Sequence, residues 1–310
     1  MARRQEETAA GFANQFLAAV RNGVEIARFG GLGKREGQPY EVVAHGPNHR
    51  LRRYFPETRN AGAVPIVLVP PLMLTAEVWD VAPGASAVEA LRDQGVDPWV
   101  VDFGAPEKEE GGLRRNLSDH VLAIGASVDA IVETTGREVH LMGYSQGGMF
   151  AYQAAAYRRS AGIASLVTFG APVDMHRAIL DRVPMDFILE LIDQMGQIES
   201  SLLPAGVPRW ATRLGFQLLD PVKAVQQRFE FLSQLADREA LLKREGMRRF
   251  METDGWTAFP GPALRDAMRE LVANNRLLRG GAVIGGRTVA RADITCPILA
   301  FSGASDTIAP

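Results

Sequence analysis

The spacing of apolar positions changes several times along the chain, and each change marks an element. Over residues 6–29, Phe12, Phe16, Val20 and Val24 recur at every fourth position beside Ala13 and Leu17, with charges opposite. That spacing predicts an amphipathic helix whose stripe packs on the rest of the chain or is offered to a partner. Gly30, Gly31 and Gly33 end it, and residues 40–55 read as two short strands around His45-Gly46-Pro47-Asn48, leaving His45 and His49 as exposed turn residues. Strands follow at 64–69, 97–104, 138–143, 163–170 and 296–303, the first a continuous apolar run as in strands buried on both faces and the second another buried strand. Helical spacing separates them at 85–94, at 116–135 and after Ser145, and this alternation predicts a doubly wound, mostly parallel α/β sheet.

Between 174 and about 259 the rhythm becomes purely helical, rich in Leu, Met, Phe and Gln and broken at Pro184, Pro204, Pro208 and Pro221. We read this as an inserted helical cap. Its Met185, Phe187, Ile188, Leu191, Phe216, Leu218, Phe229 and Phe231 are expected to be mostly helix core, with some shaping an acyl pocket. A helix at 262–278 and a hairpin at 280–289 precede the last strand. The organisation is thus an N-terminal helix (1–30), a first core part (31–173), the cap (174–260) and a second core part (261–310).

Composition narrows the class. The 310 residues hold 34 Lys and Arg against 36 Asp and Glu, for a net charge of −2, and no long basic run, which argues against nucleic acid as a partner. One cysteine, Cys296, excludes an internal disulfide and fits a reducing, cytoplasmic setting, and it reads as an inert core thiol. The longest apolar run, 64–74, contains three prolines and is too short to span a bilayer, so no integral membrane segment is expected. No ligand spacing for a metal and no dinucleotide fingerprint is present, and no cofactor is expected.

The chemistry concentrates at Gly143-Tyr144-Ser145-Gln146-Gly147, a G-x-S-x-G between a predicted strand and a predicted helix. So tight a turn needs small neighbours, which Gly143 and Gly147 provide, and it exposes the Ser145 hydroxyl at the sheet's carboxyl edge as a candidate nucleophile. The N–H of Gln146 is the expected first donor of an oxyanion hole. Neither Pro70 nor Pro71 has an N–H, so if that loop supplies the second donor, the first available one is Leu72; otherwise the prolines only stiffen the loop. Asp102, at a strand's carboxyl end, either lines the site or caps nearby N–H groups.

Asp306, in the loop after the last strand, is the candidate acid that would hold an imidazole in its working tautomer. No histidine follows it. His120 is expected at the surface or between helices, His140 inside the sheet's packing, and only His176, at the cap boundary, could approach the site. The expectation is that the base lies beyond residue 310, that the C-terminal end of the fold is missing here, and that residues 1–310 alone are inactive and poorly stable.

Beyond the elbow, Val69-Pro70-Pro71, Val101-Asp102-Phe103-Gly104, residues 139–148, Leu166-Val167-Thr168 with Pro172-Val173-Asp174, Asn274-Asn275-Arg276-Leu277 and residues 303–310 resemble, in order, blocks of the poly(3-hydroxyalkanoate) synthase branch of the α/β-hydrolase superfamily. The resemblance implies an α/β-hydrolase fold with a cap, a nucleophile at Ser145, an acid at Asp306, and acyl or hydroxyacyl (thio)esters, such as acyl-CoA, as substrates. Those synthases carry cysteine at the elbow. Serine here shifts the expectation toward hydrolysis or simple acyl transfer and away from chain growth. Similar modules also resemble the front of long fusions with AMP-forming acyl-CoA ligases, so a fused C-terminal domain is a further expectation.

Overall fold

The computed structural model describes residues 2–32, 37–58, 62–179, 206–219 and 221–304, with the single positions 184, 186, 190, 306 and 309. Its strands are β1 (Tyr40–His45), β2 (Arg50–Tyr54), β3 (Val64–Val69), β4 (Asp80–Ala82), β5 (Ala85–Ser86), β6 (Val96–Asp102), β7 (Val139–Tyr144), β8 (Ile163–Phe169), β9 (Ala282–Ile284), β10 (Arg287–Val289) and β11 (Ile298–Phe301). One sheet runs in the order β1-β2-β6-β3-β7-β8-β11. Within that sheet β1–β2 and β2–β6 pair antiparallel. From β6 to β11 every pairing is parallel, so the carboxyl ends of β6, β3, β7, β8 and β11 share one edge.

Alternate side chains on a strand face opposite ways, and the core divides accordingly. Val67, Val69, Trp99, Val101, Val139 and Leu141 pack with the helices Leu117–Thr135 and Gln146–Arg158. Ile66, Leu68 and Val100 form a second cluster with Tyr54, Trp79 and Val88, the last on the helix Ala87–Asp93. Asn116 and Asp119 cap the start of Leu117–Thr135 reciprocally, and Gly136, at φ 68°, ends it in the left-handed conformation.

Three expectations need correction. The N-terminal helix Ala2–Phe29 does not bury its apolar stripe: Phe12 (73%), Phe16, Leu17, Val20 and Val24 are all exposed. It docks through polar contacts instead. Asn22 is buried and donates to Leu235 O at 2.8 Å, and Glu25 pairs with Arg238 at 2.7 Å. In the helices Arg209–Leu219 and Pro221–Ser233, Leu218 and Phe229 are likewise exposed rather than core, and Phe216, though still exposed, packs its ring against Trp256. Phe231 is half-buried under the Arg248 guanidinium, while Met185, Phe187, Ile188 and Leu191 lie outside the described residues. Finally, His49 is buried: its ring folds back against Gly46, where any Cβ would collide with it.

The stretch expected as one helix at 262–278 is a short α-helix, Gly261–Asp266, a π-helical segment, Ala267–Ala273, and a turn of helix, Arg276–Arg279. The break falls at Asn275, at φ 49°, whose buried amide donates to Asp174 Oδ1 at 2.7 Å and accepts Met175 N–H at 3.0 Å. Two of the sequence blocks, Pro172-Val173-Asp174 and Asn274-Asn275-Arg276-Leu277, thereby meet across the fold.

Candidate active site

Tyr144 ends β7, and Gln146 begins the helix Gln146–Arg158. Between them Ser145 has φ 53° and ψ −124°, a conformation rarely open to a residue with a side chain. Hydrogen bonds at both sides hold it there. Ser145 N–H donates to Phe169 O at 2.8 Å, while Ser145 O accepts the N–H groups of Gly148 at 2.9 Å and Met149 at 3.3 Å. The expected need for small neighbours has a concrete cause: a Cβ on Gly143 would lie 2.5 Å from Gly148 Cα, and one on Gly147 would strike Val69 O. The strand–turn–helix thus packs directly on the end of β3. Ser145 remains half-buried at the sheet's carboxyl edge, beside the N-terminus of a helix whose first N–H groups have no intrahelical acceptor.

The loop after β3 reaches this point, but not as a bare donor. Leu72 N–H donates to the side-chain Oε1 of Gln146 at 3.0 Å. On its other side, Leu72 O accepts Thr257 Oγ1–H and Met73 O accepts Thr257 N–H, both at 3.1 Å. Sequence reasoning named Leu72 and Gln146 and missed Thr257, which no local pattern distinguishes.

Asp306 is half-buried, and its Oδ1 accepts the N–H of Ala309 at 3.0 Å. Its Oδ2 lies beside Gly170, 3.6 Å from where a Cβ would stand. Gly170 directly follows Phe169, whose carbonyl takes the Ser145 N–H, and itself donates to Phe301 O at 2.9 Å. Ser145 and Asp306 therefore flank the carboxyl ends of β7, β8 and β11.

Asp102 does other work. Its Oδ1 accepts Gly104 N–H at 2.8 Å, the capping alternative, and its Oδ2 accepts Arg52 Nη2 at 2.6 Å and Arg50 Nε at 3.1 Å. Burial disfavours the Arg52 charge, yet Asp102 and Glu77 outweigh it and hold that pKa above its ordinary value.

Three of the five histidines are engaged away from the serine, and none of the five bonds Ser145 among the described residues. His140 Nδ1 lies 2.6 Å from Ser165 Oγ on the neighbouring strand. His176 Nε2 faces Val272 O at 2.9 Å and Ala273 O at 3.2 Å, so its ring seals the end of the π-helical segment. His120 is fully buried between helices, edge-on to Phe103 and stacked on Phe150, with Nδ1 2.7 Å from Asn116 O. Burial pushes its pKa down to about 4. Cys296 is half-buried against the core and unpaired. Among the described residues no His, Cys, Asp and Glu side chains cluster as a metal site, and no helix is long and apolar enough to cross a membrane.

The chain is similar to known proteins. The profile of the alpha/beta hydrolase family matches residues 66–299. The poly(3-hydroxyalkanoate) polymerase subunit PhaC of Allochromatium vinosum is 28% identical over 81% of this chain and 68% of its own length. Its namesake from Haloferax mediterranei is 26% identical over 99% of this chain and 61% of its own length. A third, from Synechocystis sp., is 26% identical over 93% and 75%. With the profile spanning most of the residues that build the sheet, and the elbow set at its carboxyl edge, the chain belongs to the alpha/beta hydrolase family, where it is poly(3-hydroxyalkanoate) synthase-like.

Proposed function

We propose that this chain is an acyl-transfer enzyme that takes an acyl or hydroxyacyl thioester or ester and passes the acyl group through Ser145. The observation that carries the reading is the strained backbone of Ser145 at the mouth of a helix N-terminus, held by bonds from two sides. Strain of this kind persists where the surrounding structure over-determines it, and it presents the hydroxyl to a substrate. Ser145 Oγ attacks the carbonyl carbon and its proton passes to an imidazole oriented by Asp306. The tetrahedral oxyanion is met by backbone N–H groups, and the thiol or alcohol leaves with that proton. Water or another acceptor then releases the acyl group from Ser145. His120, His140 and His176 are bonded elsewhere among the described residues, and this reading assigns the imidazole to none of these three.

A serine ester favours hydrolysis or transfer to a small acceptor. The relatives' names favour a second reading, in which the acceptor is the hydroxyl end of a growing polyester. One experiment tests both. The full-length protein is incubated with short and long acyl-CoA or hydroxyacyl-CoA, quenched, and examined by intact mass. The expected result is a single acyl adduct, absent in Ser145→Ala, that decays in water; adducts growing by repeated hydroxyacyl units would establish the polymerase. Folded protein with no adduct at any chain length would refute an acyl-serine enzyme.

A further inference from the structure

The backbone hydrogen bonds of the turn after β3 can be followed one residue at a time. Pro70 and Pro71 have no N–H to give. Leu72 N–H is taken by Gln146 Oε1 at 3.0 Å, Leu74 N–H by Pro71 O at 3.1 Å and Thr75 N–H by Gly255 O at 2.9 Å. The remaining N–H of this stretch, that of Met73, meets no acceptor among the described residues. Met73 is half-buried and follows Leu72, whose N–H bonds the side chain of Gln146, the residue after Ser145, so its unengaged N–H is a donor that an incoming acceptor can meet.

We propose that the Gln146 side chain is a positioning clamp: by accepting the Leu72 N–H it fixes the turn so that Met73 N–H, together with Gln146 N–H, meets the oxyanion. This rests on the acyl-Ser145 reading. A Leu72 N–H already donating at 3.0 Å to an amide oxygen has little left to offer a substrate. One residue thus carries the first donor on its backbone and positions the second through its side chain, so the separation of the two donors is set through a single Cα. Thr257 holds the opposite side of the turn through Leu72 O and Met73 O, which leaves the turn little freedom to re-aim.

The test uses the full-length chain labelled with 15N-Leu and 15N-Met, observed before and after Ser145 is phosphorylated with diethyl p-nitrophenyl phosphate, whose phosphoryl oxygen mimics the oxyanion. In the wild type the Leu72 amide should exchange slowly. In Gln146→Met, which keeps the length and loses the acceptor, it should exchange at least about tenfold faster, and Gln146→Glu should restore the protection. Phosphorylation should move the Met73 amide resonance and protect it while leaving Leu72 unchanged. The acylation rate constant of Gln146→Met should fall about 10–100-fold with KM within about twofold. The proposal is overturned if Leu72 exchanges alike in wild type and Gln146→Met, if the phosphoryl group shifts Leu72 rather than Met73, or if Gln146→Met acylates faster, which would make the side chain an obstruction. Should Ser145 take up no phosphoryl group, the acyl-serine reading falls by itself, and the exchange comparison alone decides whether the clamp exists.

Discussion

Two strand ends at the same edge of the sheet, separated only by β3, present polar groups and use them in opposite ways. At the end of β6, Asp102 spends both carboxylate oxygens on the fold, one on Gly104 N–H and the other on Arg50 and Arg52, with Arg52 also reaching Glu77 at 2.9 Å. Immediately beyond it, Arg115 donates to Phe103 O at 2.7 Å and pairs with Glu109. At the end of β7, among the described residues, the bonds made by Ser145 are all backbone bonds, and the neighbouring Met73 N–H meets no acceptor. A polar residue at a strand's carboxyl end is therefore informative through the bonding capacity it has not used. The β6 end is saturated and belongs to stability; the β7 end is unsaturated and is available to chemistry.

The sharpest way to break this contrast is to exchange the consequences of two single substitutions. Asp102→Ala leaves the guanidinium of Arg52, a buried side chain, with Glu77 as its remaining carboxylate among the described residues beside the Tyr40 ring, and should cost about 3–5 kcal/mol in chemical denaturation while the remaining folded protein keeps its acylation rate. Ser145→Ala should leave the denaturation midpoint nearly unchanged. If Asp102→Ala instead removed acylation at full stability, the division between the two strand ends would be wrong.

His120, packed on Phe103 just past Asp102, sharpens the same contrast through pH. Its folded pKa of about 4 lies below the ordinary 6.5, so the unfolded chain takes up the proton first. Its stabilisation is whole above about pH 6.5, declines as the pH falls, and is lost below about pH 4, for a total of about 3 kcal/mol. Denaturation curves between pH 4 and 7 should show this slope in the wild type and lose it in His120→Phe. A smaller cost is expected at the elbow glycine: Gly147→Ala drives a methyl into Val69 O and should cost about 1–3 kcal/mol. The displaced β3 end should also slow acylation, so here, unlike at β6, stability and rate fall together.

Much of this was legible in the chain. The apolar runs located β3 and β6 because strands buried on both faces need no alternation, β11 was found although Ile298, Leu299 and Phe301 are exposed, and the glycine spacing placed Ser145 at a strand–helix turn. What escaped depends on contacts that periodicity does not encode. The Gln146–Leu72 and Thr257–Leu72 bonds join residues far apart in sequence through one side-chain atom each. The spacing of Phe12, Phe16, Val20 and Val24 established a helix but not its orientation, since Asn22 and Glu25 determine which side faces the domain. His49 was assigned to the surface because its turn is polar; Gly46 makes the room that lets the ring fold inward.

The backbone at Ser145 has a consequence for how this sequence can drift. At φ 53° and ψ −124° a glycine would sit more comfortably than any residue with a Cβ, so every generation of copying offers a stabilising exit from serine. Selection for stability alone would take that exit. A serine that persists there reports a demand made by something other than folding, and among descendants released from that demand position 145 is where glycine should accumulate first.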